Sequence, residues 1–248
     1  MGTTEHLPEQ LRIPGRRDPW RRLNLTLILL SLLPLLLFSI FPLRHAARDA
    51  HQAALKGDLK ALDSILRRHP GAVHSQDIHG ATPLHFACLA HQLQAARRLL
   101  DRGAGVEAVN VCGQTPLFNA VSMNDGPVAE LLLRHGANPN HADRGGTTPL
   151  HLAVARGFLP MVELLGAWGA TPLTVHRFTG QTPLHDAVLR GQVPIARSLL
   201  KMGADPARPD KRGQTALSIA RRAGNHELIL LLEGPGPVGA GTEGSRRN

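Results

Sequence analysis

The hexapeptide TPLHFA at residues 82–87 returns, altered, at a fixed interval along the chain. It reads TPLFNA at 115–120, TPLHLA at 148–153, TPLHDA at 182–187 and TALSIA at 215–220. The successive threonines stand 33, 33, 34 and 33 residues apart. No other feature constrains the fold as much. A unit this short cannot bury its own apolar face and has to stack on copies of itself. More than the hexapeptide is shared. A glycine stands two residues before each threonine (Gly80, Gly113, Gly146, Gly180, Gly213). An Asp or Asn opens most units (Asp77, Asn110, Asp143, Asp210). Each unit then carries a leucine-rich run ending in Gly-Ala: RRLLDRGA (97–104), AELLLRHGA (129–137), VELLGAWGA (162–170) and ARSLLKMGA (196–204).

These residues have local meaning. Threonine followed by proline is a helix start, because the hydroxyl can cap the first turn and proline needs no amide there. Gly103, Gly136, Gly169 and Gly203 can stop a second helix in the left-handed conformation. Gly80 and its equivalents suit a tight turn. The period of 33 with T-P-L-H-x-A resembles the ankyrin repeat. The resemblance implies an all-α repeat fold, a solenoid of about six helix–turn–helix units joined by short β-hairpins. The units fall at about 45–76, 77–109, 110–142, 143–176, 177–209 and 210–233. HQAALKG (51–57) with LKALDSILRRHPGA (59–72) reads as an N-terminal cap unit, and HELILLLE (226–233) closes a C-terminal one. The fourth unit carries one extra residue, placed in its exit loop near LTVHR (173–177). The tail 234–248 is Gly/Pro-rich and expected to be disordered.

Before the repeats, residues 23–43 read LNLTLILLSLLPLLLFSIFPL, without a charged side chain. A helix of about 20 residues spans a bilayer core, and a membrane helix tolerates Pro34. The block is longer than a signal-peptide core and Arg44 follows at once, so an uncleaved single-pass anchor is favoured over a cleaved signal. Residues 1–22 form a basic N-terminal tail. Its Arg16, Arg17, Arg21 and Arg22 outnumber Arg44 and Arg48 beyond the span, which favours a cytoplasmic N-terminus and exported repeats, on the periplasmic side of a bacterial inner membrane. Cytoplasmic repeats are the alternative. Pro42 ends the span and helix-forming sequence resumes at about Arg44, so the stack stands close to the bilayer.

The net charge of +9 raises nucleic acid as a partner, but the charge is spread out and aromatics make up 3 % of the chain, which leaves few stacking platforms. Nucleic-acid binding is not expected. His85 and Cys88 sit on one helical face and invite a metal reading. His85, however, fills a repeat position with His151, His185 and, in the cap, His51. The resemblance gives that residue a hydrogen bond between neighbouring units. Cys88 aligns with Val121, Val154 and Val188, as a small core residue. No metal and no cofactor is expected, and the placement of Cys112 in a hairpin tip argues against a disulfide to Cys88. His74, His79, His141 and His176 read as solvated loop residues.

No nucleophile–base arrangement, carboxylate pair or phosphate loop stands out, so no enzyme activity is expected. Ankyrin-type stacks bind protein partners through hairpin tips and the concave face of the first helices. On that resemblance the tip candidates are Ile78, His79, Val111, Cys112, Arg144, Phe178, Lys211 and Arg212. The helix candidates are Leu89, Ser122, Met123, Arg156, Leu189, Arg190 and Arg222. Ile78, Leu89, Val111 and Met123 come early and are apolar, whereas the arginines and Lys211 come late. The order points to a protein partner with an apolar and an acidic surface, membrane-associated, bound by a monomeric scaffold or adaptor. The alternatives are a soluble exported repeat protein, or a regulator or inhibitor of an enzyme at the membrane.

Overall fold

Residues 45–234 are described by a computed structural model. The basic segment 1–22, the apolar segment 23–43 and the tail from 235 onward lie outside them. Among the described residues no helix is long and apolar enough to cross a membrane.

Six helix pairs follow one another. They are α1 (45–56) with α2 (Leu59–Arg68), α3 (Pro83–Leu89) with α4 (Leu93–Asp101), and α5 (Pro116–Ser122) with α6 (Gly126–Arg134). Then come α7 (Pro149–Arg156) with α8 (Leu159–Ala167), α9 (Pro183–Leu189) with α10 (Val193–Lys201), and α11 (Ala216–Ala223) with α12 (His226–Glu233). A 3₁₀ turn, Pro70–His74, follows α2. First helices pack on first helices, and second on second, so the fold is two helical layers stacked along one axis.

First helices of seven or eight residues are too short to persist alone. Two devices hold them. The threonines adopt extended backbone as N-caps with proline at the first turn, as the sequence suggests. Burial then follows the repeat. Leu84, Leu117, Leu150 and Leu184 form one fully buried column, and Leu99, Leu132, Leu165 and Leu199 form another. Each such leucine contributes roughly 1.5–3 kcal/mol of transfer free energy. Ala87, Ala120, Ala153, Ala187 and Ala220 are buried between first helices, where only a small side chain permits their close approach. Cys88 occupies the same core as Val121, Val154 and Val188, and burial pushes its thiol pKa up, with the Asp125 charge adding to the effect.

The connections depart from expectation. Among the described residues there is no β-strand, so the predicted hairpins are tight turns. In the first, the Asp77 amide donates to Ala81 O at 3.0 Å and the Gly80 amide to Asp77 O at 3.0 Å. Each turn then reaches the next through one backbone bond, for example from Val111 N to His79 O at 2.8 Å, which is too few to build a ladder. The left-handed residue between paired helices is Gly57, Gly157, Gly191 or Gly224, but His91 (φ 58°) and Asn124 (φ 54°) fill the equivalent places in two units.

The extra residue of the long unit also lies elsewhere than expected. It is inside the turn, where His176 N donates to Gln181 O across one more residue than Asp77 to Ala81 or Asp210 to Gln214. The misplacement has a physical origin. His176 replaces the Asp or Asn whose side-chain oxygen accepts two turn amides in the other units, so the anchor that would fix the alignment is missing.

Candidate functional site

The face expected to be concave is built from the first helices. Counting from the capping threonines of the second to fifth units, the exposed or half-exposed positions are the fifth, eighth and ninth residues, whereas in the last unit the fifth, Ile219, is buried and Ser218 and Arg221 are exposed. The eighth and ninth give Leu89, Ser122 with Met123, Arg156, Leu189 with Arg190, and Arg222. All of these except the half-buried Ser122 are exposed. The tip candidates Ile78, His79, Val111, Cys112, Arg144, Phe178, Lys211 and Arg212 are exposed as well, at the turns. The two sets therefore occupy two places, helix ends and turn tips.

The fifth-position column was missed by sequence reasoning. Phe86, Asn119, Leu152 and Asp186 are half-buried and stand one helical turn before the eighth and ninth positions. The signal was available, since these are the variable x of T-P-L-H-x-A. Phe86 packs edge-on against His51, with centroids 5.1 Å apart. Asn119 Nδ2 donates to His85 O of the preceding unit at 2.9 Å. Burial raises the Asp186 pKa, against the opposing charges of Arg190, His176 and His185.

The late cations also make contacts within the stack. Their identity is partly structural. Arg156 Nη1 donates to Ser122 O at 3.3 Å, Arg222 Nη2 to Gln214 Oε1 at 3.4 Å, and Lys211 Nζ to Arg177 O at 2.7 Å. The change from apolar to basic along the stack is also interrupted, because Phe178, Leu189 and Asp186 lie among the late cations.

The histidines of the repeat motif hold the site's floor. His85 Nδ1 accepts from the Thr82 amide at 3.1 Å, which leaves the proton on Nε2, and Nε2 donates to Gln114 O of the next unit at 3.1 Å. His185 repeats the arrangement with Thr182 (3.2 Å) and Gln214 O (3.0 Å). His51 Nε2 lies 3.0 Å from Ala81 O. With both nitrogens of His85 engaged and Cys88 sealed in the core, the pair is not disposed as ligands. Among the described residues no group of three or more His, Cys, Asp or Glu side chains is placed to hold a metal ion.

His151 differs. Its Nδ1 accepts from Thr148 N at 3.3 Å, yet Nε2, buried at the junction with the long turn, faces Gln181 without the well-formed bond that His85 and His185 make. Burial lowers its pKa to about 4, and that of His85 also falls. Two of the expected loop histidines are not solvated. His141 is half-buried, with Nε2 2.9 Å from Gly113 O and its ring edge-on to Phe118. His176 is half-buried, with Nδ1 buried and unpartnered. His74 and His79 are exposed.

A family profile described as ankyrin repeats (3 copies) matches this chain in overlapping stretches, residues 50–143, 107–175, 132–210 and 169–237. The chain belongs to the ankyrin-repeat family. It is 38% identical over 60 residues to ankyrin repeat domain-containing protein 13C-A of Xenopus laevis. It is 37% identical over 60 residues to ankyrin repeat domain-containing protein 13C of Mus musculus and of Homo sapiens. Each match takes in 24% of this chain and 11% of the relative, so the likeness is one of repeat units.

Proposed function

We propose that the chain is a scaffold or adaptor that binds a protein partner along the concave ends of its first helices. One observation carries this reading. Leu89, Met123, Arg156, Arg190 and Arg222 stand exposed about one repeat apart, at the ends of first helices that are otherwise largely buried. Stacked repeats use such extended surfaces for binding. The apolar members suit an apolar patch on the partner, and Arg156, Arg190 and Arg222 suit an acidic one. The uncharged run 23–43 supports anchoring to a membrane, with the repeats exported, and a partner that works at that surface.

Two experiments test this. Crosslinking in native membranes followed by purification recovers the partner. Arg156→Glu with Arg190→Glu reduces recovery at least tenfold, taking roughly 1 kcal/mol or more from each charged contact. Arg197→Glu on the outer layer leaves it unchanged. Equal recovery from all three proteins rejects the concave-face assignment. A C-terminal alkaline phosphatase fusion reports the side of the membrane. An active fusion fits exported repeats, and an expressed but inactive one places them in the cytoplasm.

A further inference from the structure

The turns form a surface of their own. Backbone bonds link each to the next: Val111 N to His79 O, Arg144 N to Cys112 O, Arg177 N to Gly145 O and Lys211 N to Thr179 O, at 2.8–3.1 Å. Five turns are thereby held in a row at one-repeat spacing. The row carries the most exposed large apolar side chain among the described residues, Ile78 at 90%, and Phe178 at 69%. Phe178 stands in the turn with the extra residue. The concave helix ends are covered further, with Leu89 at 42% and Met123 at 38%.

The exposed charges in the row have one sign. Arg144, Arg177, Lys211 and Arg212 are exposed, and none forms a salt bridge among the described residues. The carboxylates at the turn bases are turned inward. Asp77, Asp143 and Asp210 each accept two backbone amides of their own turn at 2.8–2.9 Å.

From these contacts we infer that the turn row docks on an anionic phospholipid surface, with Ile78 and Phe178 entering the interface and the four cations meeting headgroups. A side chain exposed to this degree is no part of a receptor pocket, so it has to be the inserting group. A fluid interface accepts inserted apolar groups without a matching pocket, and anionic headgroups supply the complementary charge. A folded acidic protein would need two complementary pockets three repeats apart. This assignment leaves the helix ends to the protein partner.

The chain supplies its own probe site. Cys112 lies in the row and is exposed, while Cys88 is buried. Full-length protein carrying Cys88→Val is labelled at Cys112 with a polarity-sensitive fluorophore and mixed with vesicles of phosphatidylcholine alone or with phosphatidylglycerol. The expected result is a blue shift with the anionic vesicles only, diminished by salt. Arg144→Glu with Arg177→Glu weakens the response roughly thirtyfold or more, at about fivefold per cation. Phe178→Ser, which alters no charge, weakens it while preserving the salt dependence. No shift with anionic vesicles, equal shifts with both compositions, or an unaltered response in the charge variant overturns the inference. A response to soluble polyglutamate but not to vesicles also overturns it and assigns the row to an acidic protein. Sedimentation with neutral vesicles reads anchoring by residues 23–43 separately, so the two readings fail independently.

Discussion

At the scale of single residues, one motif position separates the units. Thr182 Oγ1 lies 2.8 Å from His185 Nδ1, closing a reciprocal cap. In the third unit Phe118 stands where four units have histidine and the last has Ser218, and Thr115 Oγ1 is buried without a partner. A buried unpaired hydroxyl is unfavourable, whereas a paired one contributes about 1 kcal/mol. Thr115→Val should therefore leave stability unchanged or raise it, and Thr182→Val should lower it by about 1 kcal/mol, read from urea midpoints. Equal losses would show that Thr115 has a partner in solution. His151 gives a pH dependence. Its folded pKa is about 4 against 6.5 unfolded, so below 6.5 the unfolded chain binds the extra proton. The stability it protects is complete above pH 6.5 and is lost as pH falls toward 4, on the order of 3 kcal/mol at most. His151→Phe, copying the third unit, should flatten this decline in urea titrations at pH 7.5, 5.5 and 4.5. An unchanged slope would assign the acid loss to other groups.

At the scale of elements, the long turn is the exception that explains itself. Elsewhere an Asp or Asn oxygen accepts two amides and pins the turn. Across His176–Gln181 the side-chain bond to the Gln181 amide comes from Thr179 Oγ1 at 3.3 Å instead. Replacing the hexapeptide HRFTGQ with DKRGQ, the turn of the last unit, should raise stability by roughly 1–2 kcal/mol through the restored pair of bonds to a charged oxygen. It should also present the turn carbonyl to His151 Nε2. A midpoint that falls instead would mean that packing of His176 against Phe178, at 5.8 Å, outweighs those bonds. The helix pairs themselves were legible because threonine, proline and terminal glycine act through local backbone chemistry. The hairpins were not, because strand pairing depends on how many bonds neighbouring turns share. The fifth-position column of Asn119 and Asp186 escaped for a related reason. A half-buried groove residue reads in sequence as an unremarkable variable position.

At the scale of the whole molecule, stability in a stack is a sum of unit terms and nearest-neighbour interfaces. The interfaces here are built alike, from the same leucine and alanine columns, so differences rest on the polar bonds that cross them. Histidine bridges join the cap to the second unit, the second to the third, and the fifth to the sixth, through His51, His85 and His185. Phe118 gives the third–fourth junction no histidine bridge, but Asn140 bonds across it to Gly169 O and the Thr171 amide, and Arg156 to Ser122 O. Between the fourth and fifth units His151 Nε2 faces Gln181 without a well-formed bond, and the turn that receives it lacks its carboxylate anchor. This junction is accordingly the weakest in the described stack, and the residues beyond it should open as one unit. Leu230, 71% exposed on α12, shows that the far end is covered by nothing else among the described residues. Native-state hydrogen exchange should find amides of α9–α12 opening together, with a free energy below that of α3–α7. The turn replacement should raise the α9–α12 value toward the rest, because it acts at the junction and nowhere else. Uniform protection along the chain would mean that the apolar columns alone set the coupling, and that the poorly formed bridge has no energetic consequence.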